Sequence, residues 1–374
     1  MRYLLLIAAL ILTLGRAAAD DALLSTIDAK AYYLIDAASN TVLAESNATE
    51  QLNPASLTKL MTAYLAFEAL ERGDATLSDL VLISEKAWRE PGSRMFIEVG
   101  SEVAYGDLLR GLIIQSGNDA AIAIAEHLAG SEQAFVQRMN ETGVSLGMTG
   151  TTYRNTNGLP ARGHVSTAKD MAVLSRALID RFPQYYSYYS EREFTYNEIT
   201  QHNRNALLWR DDSVDGLKTG YTAAAGYCLV SSAERDGMRL IAVVFGASTA
   251  DARTTSSMQL LDYGFDAYET HKLYSRGETV AQARVFKGSL DTLALGPAED
   301  VYVTVPRGEY SSIDASAALT AELIAPLGQF QEVGELEISL GEQPIARLPL
   351  VALEPVKEGW LLTRVADGVA LWFD

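Results

Sequence analysis

Ser56 and Lys59 stand three residues apart in the segment Ser56-Leu57-Thr58-Lys59. On a helix that spacing places both side chains on one face, one turn apart. A serine hydroxyl is a weak nucleophile until a base takes its proton. A lysine amine serves as that base only when burial or a neighbouring cation lowers its pKa. Lys218 is a candidate for such a cation. Two more short motifs follow in order, Ser116-Gly117-Asn118 and Lys218-Thr219-Gly220. Ser116 suits a proton relay and Asn118 a contact to a substrate carbonyl. Gly220 lets a substrate backbone pair closely with a strand edge. Singly these are a polar helix end and a solvated sheet edge. In one chain and in this order they describe a serine nucleophile with lysine in place of histidine.

Two look-alikes show how weak single motifs are. Ser166-Thr167-Ala168-Lys169 repeats the Ser-x-x-Lys spacing and is expected to cap a helix starting near Ala168. Gly143-Val144-Ser145-Leu146-Gly147 matches the Gly-x-Ser-x-Gly elbow, which needs a strand before it and a helix after it. Ala134 to Thr142 reads as a helix, with Gly143 as its C-cap.

The elements that must position these residues follow from the pattern. Ala31 to Asp36 and Thr41 to Glu45 read as paired strands. Asn53-Pro54 reads as a helix start, with Leu57, Leu60, Met61, Tyr64 and Leu65 at helical spacing and Gly73 as C-cap. That start puts Ser56 in the first turn, where the helix dipole favours an alkoxide. Helices are expected over Val103–Ile114, Ala120–Leu128 and Ala168–Ile179, with Asp119 capping the second. Strands return at Asp215–Thr219, Tyr227–Ala233 and Arg239–Phe245. Asp236-Gly237 between the last two is a hairpin turn. Ser256 to Phe265 is helical again. This is an α/β (α+β) arrangement, an antiparallel sheet carrying helices on its faces. Composition changes near Leu273. Val301, Val303 and Val305 alternate with polar neighbours, and short strands follow at Glu335–Leu340 and Ile345–Val351. The expected divisions are 1–19 leader, 20–273 catalytic domain, 274–356 small all-β domain and 357–374 amphipathic helix.

The leader has Arg2, an apolar run from Leu4 to Leu14 and Ala17-Ala18-Ala19 before Asp20. The run is about half of the ~20 residues a membrane span needs. Removing the first 19 of 374 residues leaves 355, enough for two domains. The formal charge of −18 becomes −20 without Arg2 and Arg16, which argues against nucleic acid as a partner. Cys228 is the single cysteine, so no internal disulfide forms, and its apolar neighbours suit a buried position. His127, His164, His202 and His271 form no metal-ligand spacing, so neither a metal nor a cofactor is expected.

At this point the residues resemble a known family. Asn53 to Thr62 (NPASLTKLMT), Gln115 to Ala121 (QSGNDAA), Asp215 to Gly220 (DGLKTG) and Ala225-Gly226-Tyr227 are similar to the low-molecular-mass penicillin-binding proteins of the D-alanyl-D-alanine carboxypeptidase 5/6 type. His202 to Asn205 (HNRN) and Tyr153 to Leu159 (YRNTNGL) fit as well. The resemblance runs from about Ile27 to the C-terminus. It implies a penicillin-recognising, β-lactamase-like transpeptidase domain, then a β-rich domain, then a membrane-associating helix. It implies that Ser56 attacks the carbonyl between the two terminal D-alanines of a peptidoglycan stem peptide. Lys59 is then the general base, and Ser116 passes a proton toward the leaving D-alanine. The backbone N–H groups of Ser56 and Tyr221 form an oxyanion hole. Lys218, Thr219 and Arg253 hold the free carboxylate, and β-lactams act as covalent inhibitors. The protein is then exported and lies on the periplasmic face of a bacterial inner membrane.

Tyr221 departs from the pattern, since many relatives carry histidine after Lys-Thr-Gly. A backbone oxyanion hole is indifferent to that change, but substrate preference or pH dependence is not. Between Asn118 and Lys218 no segment resembles the glutamate loop of class A β-lactamases, which disfavours efficient drug hydrolysis. A DD-endopeptidase that cuts cross-links, a β-lactamase and a catalytically silent envelope-binding protein stand as alternatives. In Gly359 to Asp374 the residues Leu361, Leu362, Val365, Val369, Trp372 and Phe373 cluster on one helical side. Sixteen residues rise about 24 Å, short of a span, so this helix is expected to lie on a bilayer.

Overall fold

The structure, a computed structural model, describes residues 22–371. The expected leader, 1–19, and the residues Trp372 and Phe373 of the C-terminal segment lie outside them. One compact unit ends at Phe265 and a second begins at Asp266.

The first unit is built on an antiparallel sheet of β1 (Ala31–Asp36), β2 (Val42–Ser46), β3 (Val214–Thr222), β4 (Gly226–Arg235) and β5 (Met238–Ala247), in the order β2-β1-β5-β4-β3. β1 is buried along its whole length, and β4 and β5 through most of theirs, which is why their apolar runs are nearly continuous. Asp236 (φ 50°) and Gly237 (φ 81°) turn the β4–β5 hairpin, as two positive φ angles require for a tight turn. β3 is the edge, so the Lys-Thr-Gly segment has one free side.

The longer helices are α1 (Lys59–Arg72), α2 (Tyr105–Ile113), α3 (Asn118–Ala129), α4 (Glu132–Ser145), α5 (Ala168–Arg181) and α6 (Ala250–Ala267). α1 is buried from Lys59 to Phe67, on every face, and its apolar residues are correspondingly spread around the helix. Gly73, at φ 74°, closes it. Sheet residues such as Val243 and Phe245 share one core with Leu60 of α1, Ile122 of α3 and Leu174 of α5.

Several helix boundaries differ from expectation. α6 begins at Ala250 and not near Ser256, so Arg253 lies in its first turn, and α2 begins at Tyr105 after a short strand that takes Val103. The chain around Ser56 is a 3-10 turn, Ala55–Thr58, and α1 begins only at Lys59. Ala55 has φ 48°, a left-handed conformation that no right-handed α-helix includes, so the helix cannot start at Pro54. Gly143 is not a C-cap. α4 runs through it to Ser145, and the chain turns at Gly147, φ 78°. The second Ser-x-x-Lys is a cap as expected. Thr167 accepts a hydrogen bond from Asp170 N (3.0 Å) at the start of α5. Asp119 is the second residue of α3, not its cap.

The second unit pairs β6 (Tyr268–Tyr274) with β9 (Val301–Pro306). It also holds a six-stranded sheet made from β7 (Ala281–Phe286), β8 (Thr292–Pro297), β10 (Ile313–Leu319), β11 (Leu323–Ile324), β12 (Glu332–Leu340) and β13 (Gln343–Ala352). Its order is β10-β12-β13-β8-β7-β11. Because β6 pairs here, the unit starts ahead of the composition change near Leu273. Its core includes Val285, Leu293, Leu295, Leu350 and Ala352. Helix α7 (Leu361–Ala370) docks on β7 through Asp367, which is buried and accepts from Lys287 N (2.5 Å) and the Arg284 guanidinium (3.2 Å).

Candidate active site

The 3-10 turn that carries Ser56 is held from three sides. Gly158 (φ 86°) lies so close that a β-carbon there would stand 1.8 Å from the Ala55 carbonyl oxygen. A β-carbon at Gly220 on β3 would stand 3.1 Å from Ser56 N. Glycine at both positions is thus a packing requirement. From below, Thr58 Oγ1 donates to Ala55 O (2.8 Å) and lies 2.8 Å from His164 Nε2. Arg154 N donates to His164 Nδ1 (2.9 Å), so Nε2 carries the imidazole proton and points it at Thr58. Burial, helped by Arg154, pushes His164 down to about 4, which keeps this ring neutral.

Lys59 begins α1 and is 1% exposed. Its Nζ lies 3.0 Å from Ser56 Oγ, 2.7 Å from Asn118 Oδ1 and 2.6 Å from the carbonyl oxygen of Asn157. Burial is the main force pushing it down to about 7. Arg204 adds to the drop, while Asp119 and Glu90 oppose it. This is the condition a lysine base needs near neutral pH.

Ser116 and Asn118 come from the tight passage between α2 and α3. Ser116 is left-handed (φ 63°), and its buried Oγ finds no hydrogen-bond partner among the described residues. Asn118 Nδ2 donates to Pro91 O (2.6 Å). Both ends of that amide are therefore in use, one on Lys59 and one on the loop before α2. The Asp119 carboxylate accepts from Met95 N, Phe96 N and Ala120 N, which anchors the same loop to α3.

On the edge strand, Lys218 and Thr219 are buried, and Lys218 Nζ donates to Thr219 O (3.0 Å). Burial, then Lys59, Arg204 and Arg253, push Lys218 well below its ordinary value. Arg253, at the start of α6, is 8% exposed, and its buried Nε has no partner among the described residues. Its guanidinium carbon lies 5.9 Å from the Tyr227 ring centroid, and Tyr221, more than half exposed, lies against Tyr227 with ring centroids 4.3 Å apart and the planes tilted by 32°. The expected residues Ser56, Lys59 and Asn118 thus meet directly. Lys59, Arg204 and Arg253 all act on Lys218, and no direct contact joins Arg253 to Ser56, Lys59 or Asn118 among the described residues. The two decoy serines are elsewhere engaged. Ser145 Oγ donates to Thr142 O, and Ser166 Oγ shares a hydrogen bond with Thr151. A cavity of about 310 Å³ among Leu65, Glu68, Arg72, Leu128 and Phe135 touches none of the motif residues. Among the described residues no cluster suits a metal ion.

Sequence reasoning missed four participants: the Asn157 carbonyl, Arg204, Glu90 and the Thr58–His164 pair. Asn157 and Arg204 stand in the YRNTNGL and HNRN segments, which was the local signal available, though it gave them no role. The others act through contacts of long sequence separation.

The D-alanyl-D-alanine carboxypeptidase (peptidase S11) family profile matches residues 16–249, and the penicillin-binding protein 5 C-terminal domain profile matches 268–358. The chain belongs to the D-alanyl-D-alanine carboxypeptidase family. It is 45% identical to the D-alanyl-D-alanine carboxypeptidase DacC of Escherichia coli, over 93% of this chain and 89% of that protein. It is 43% identical to DacA of the same organism, over 93% and 88%. The crystal structure of penicillin-binding protein 5 from Haemophilus influenzae has 39% sequence identity and a TM-score of 0.86, covering 89% of this chain and 98% of that one. The α+β catalytic fold with an all-β C-terminal domain is the fold of these family members.

Proposed function

We propose that this enzyme is a serine-type D-alanyl-D-alanine carboxypeptidase. It removes the terminal D-alanine from peptidoglycan stem pentapeptides through an acyl-enzyme on Ser56 and is acylated there by penicillins. The observation that carries the reading is the 3.0 Å contact between Lys59 Nζ and Ser56 Oγ, at a lysine that burial pushes down to about 7 so that its amine is free near neutral pH.

Lys59 takes the Ser56 proton as Oγ attacks the carbonyl between the two D-alanines. The Ser56 and Tyr221 backbone N–H groups stabilise the oxyanion, a role supported by the close approach of Gly220 to Ser56 N. Ser116 relays the proton to the departing amine, and the second Asn118 amide hydrogen meets a substrate carbonyl. Lys218, Thr219 and Arg253 receive the free carboxylate. Water then attacks the ester with Lys59 as base, and Ser56 is regenerated.

Residues 1–19 act as an export signal, and the catalytic domain works at the outer face of the inner membrane. Helix α7 holds it there. Trp360, Leu361, Leu362, Val365 and Val369 are all more than half exposed, while Asp367 faces inward. The docked side of the helix is its polar one, and the apolar side is left for a lipid surface. No described helix is long and apolar enough to cross a membrane.

The test is product analysis on a stem pentapeptide and on a cross-linked dimer, with penicillin labelling in parallel. Free D-alanine from the pentapeptide and an adduct on Ser56 are expected. Ser56→Ala removes the label, while Ser145→Ala and Ser166→Ala retain it. Cleavage of the dimer alone would replace this reading with an endopeptidase, and an adduct on another serine would end it.

A further inference from the structure

Both groups that accept from Lys59 Nζ, besides Ser56, are held by one short segment, Glu90-Pro91-Gly92-Ser93. The Glu90 carboxylate accepts from Asn157 Nδ2 (2.7 Å), and Asn157 O is the 2.6 Å partner of Lys59. Pro91 O accepts from Asn118 Nδ2 (2.6 Å), and Ser93 O accepts from Asn118 N (2.7 Å). Gly92 has φ 94°, and a β-carbon there would stand 2.7 Å from Asn118 Nδ2, so no other residue allows this approach. A second carboxylate, Glu132, holds the neighbouring Thr156 by its N and Oγ1 (3.1 and 3.2 Å), but Lys86 neutralises it at 2.7 Å. Glu90 has no ion-pair partner among the described residues, so of these two carboxylates it is the one whose charge still acts on the lysine, beside Asp119.

We propose that Glu90 is a positioning residue for the reaction: it fixes Asn157 against Lys59, and its negative charge opposes deprotonation of that lysine. Burial and Arg204 push Lys59 toward the neutral base, and Asp119 and Glu90 pull it back. Asp119 is tied into three backbone N–H bonds. Glu90 is the member of this set that a single substitution neutralises without losing a bond. Lys86 and Glu132 are the other charges facing Glu90 besides Lys59, and burial raises the Glu90 carboxyl. The segment therefore does two things at once. It presents the acceptors that orient the Lys59 lone pair, and it sets the lower edge of the pH range in which that lone pair is free.

The inference rests on Ser56 and Lys59 acting as proposed above, and the test separates the two. The second-order rate of Ser56 acylation by a fluorescent penicillin is measured across pH for the full-length protein, Glu90→Gln and Glu90→Asp, with melting temperatures alongside. Gln keeps an oxygen that accepts from Asn157 but drops the charge. Its acid limb should move down by about half a pH unit, so that below the limb it acylates about threefold faster than wild type. Asp keeps the charge with a shorter reach. Its plateau should fall while its limb stays at the wild-type position. Superimposed limbs for wild type and Gln, a uniform loss at every pH, or equal shifts in Gln and Asp would each overturn the role of Glu90. Failure of the wild type to label would overturn the Ser56–Lys59 reading together with it.

Discussion

Lys59 Nζ faces Ser56 Oγ at 3.0 Å while two carbonyl oxygens, Asn118 Oδ1 and Asn157 O, occupy its other sides. A neutral amine has two N–H bonds and one lone pair. The carbonyls take the N–H bonds, and the lone pair is left pointing at the serine proton. In the proposed reaction this geometry sets the direction of proton transfer, and burial makes the transfer feasible near neutral pH.

Acylation should follow the fraction of neutral Lys59. With the amine pushed down to about 7, the rate of penicillin labelling rises with pH through a limb near that value. Below it the rate falls about tenfold per pH unit, because each unit removes that factor of free base. Lys59→Arg cannot supply a free base and should lose labelling at every pH. A flat profile through the neutral range would refute the lysine base.

Ser116→Ala tests the relay. Its hydroxyl makes no hydrogen bond among the described residues, so removing it sacrifices no native partner. The melting curve should stay within about 0.5 kcal/mol of wild type. Turnover of the pentapeptide should drop roughly 100- to 10,000-fold, the range for a lost proton-transfer group. A stability loss with unchanged turnover would assign Ser116 to packing.

Gly158→Ala should distort the serine turn. The new methyl would overlap the Ala55 carbonyl oxygen, and the φ of 86° is itself unfavourable for alanine. A cost of at least about 1–3 kcal/mol is expected, with loss of penicillin labelling. Gly163→Ala shares a positive φ but meets only the Arg154 side chain at 3.6 Å, so it should be strained yet still labelled. Thermal melts and labelling on both variants decide the point.

Arg253→Ala should discriminate between substrates. Its buried guanidinium has an unpartnered Nε, as a receptor for an incoming carboxylate would. Loss of a charge-assisted hydrogen bond is worth about 1.5–3 kcal/mol. That penalty should appear in kcat/KM for a peptide acid and largely vanish for its ester or amide. Equal losses on both would remove Arg253 from the site.

Truncation after Lys357 should leave activity on soluble peptides intact while abolishing sedimentation with membranes. Arg364 pairs with Glu358 at 2.7 Å, so this region offers little net positive charge to anionic lipid. High salt should therefore not release the intact protein, and detergent should. Release by salt alone would exclude anchoring by the exposed apolar side of α7.

Much of this was legible locally. The three motifs, the β4–β5 hairpin at Asp236-Gly237, the Gly73 C-cap and the Thr167 cap depend on residues a few positions apart, and their chemistry is readable in the chain itself. The onset of α1 was misplaced because the left-handed Ala55 is imposed from outside, by Gly158 and Gly220 closing on the turn. Gly143 misled because glycine is also compatible with a helix interior, where the chain in fact continues to Ser145.

The amino-acid sequence by itself determined the proposed nucleophile and its lysine, the glycine-bearing edge strand and the order of the parts, because spacing and residue type carry that information. What suits Lys59 to the proposed role of base was decided only in three dimensions. Its pKa depends on being 1% exposed and on Arg204, Asp119 and Glu90, and its orientation depends on a carbonyl 98 residues away. Burial and long-range charge are properties of the assembled core, and no local pattern encodes them.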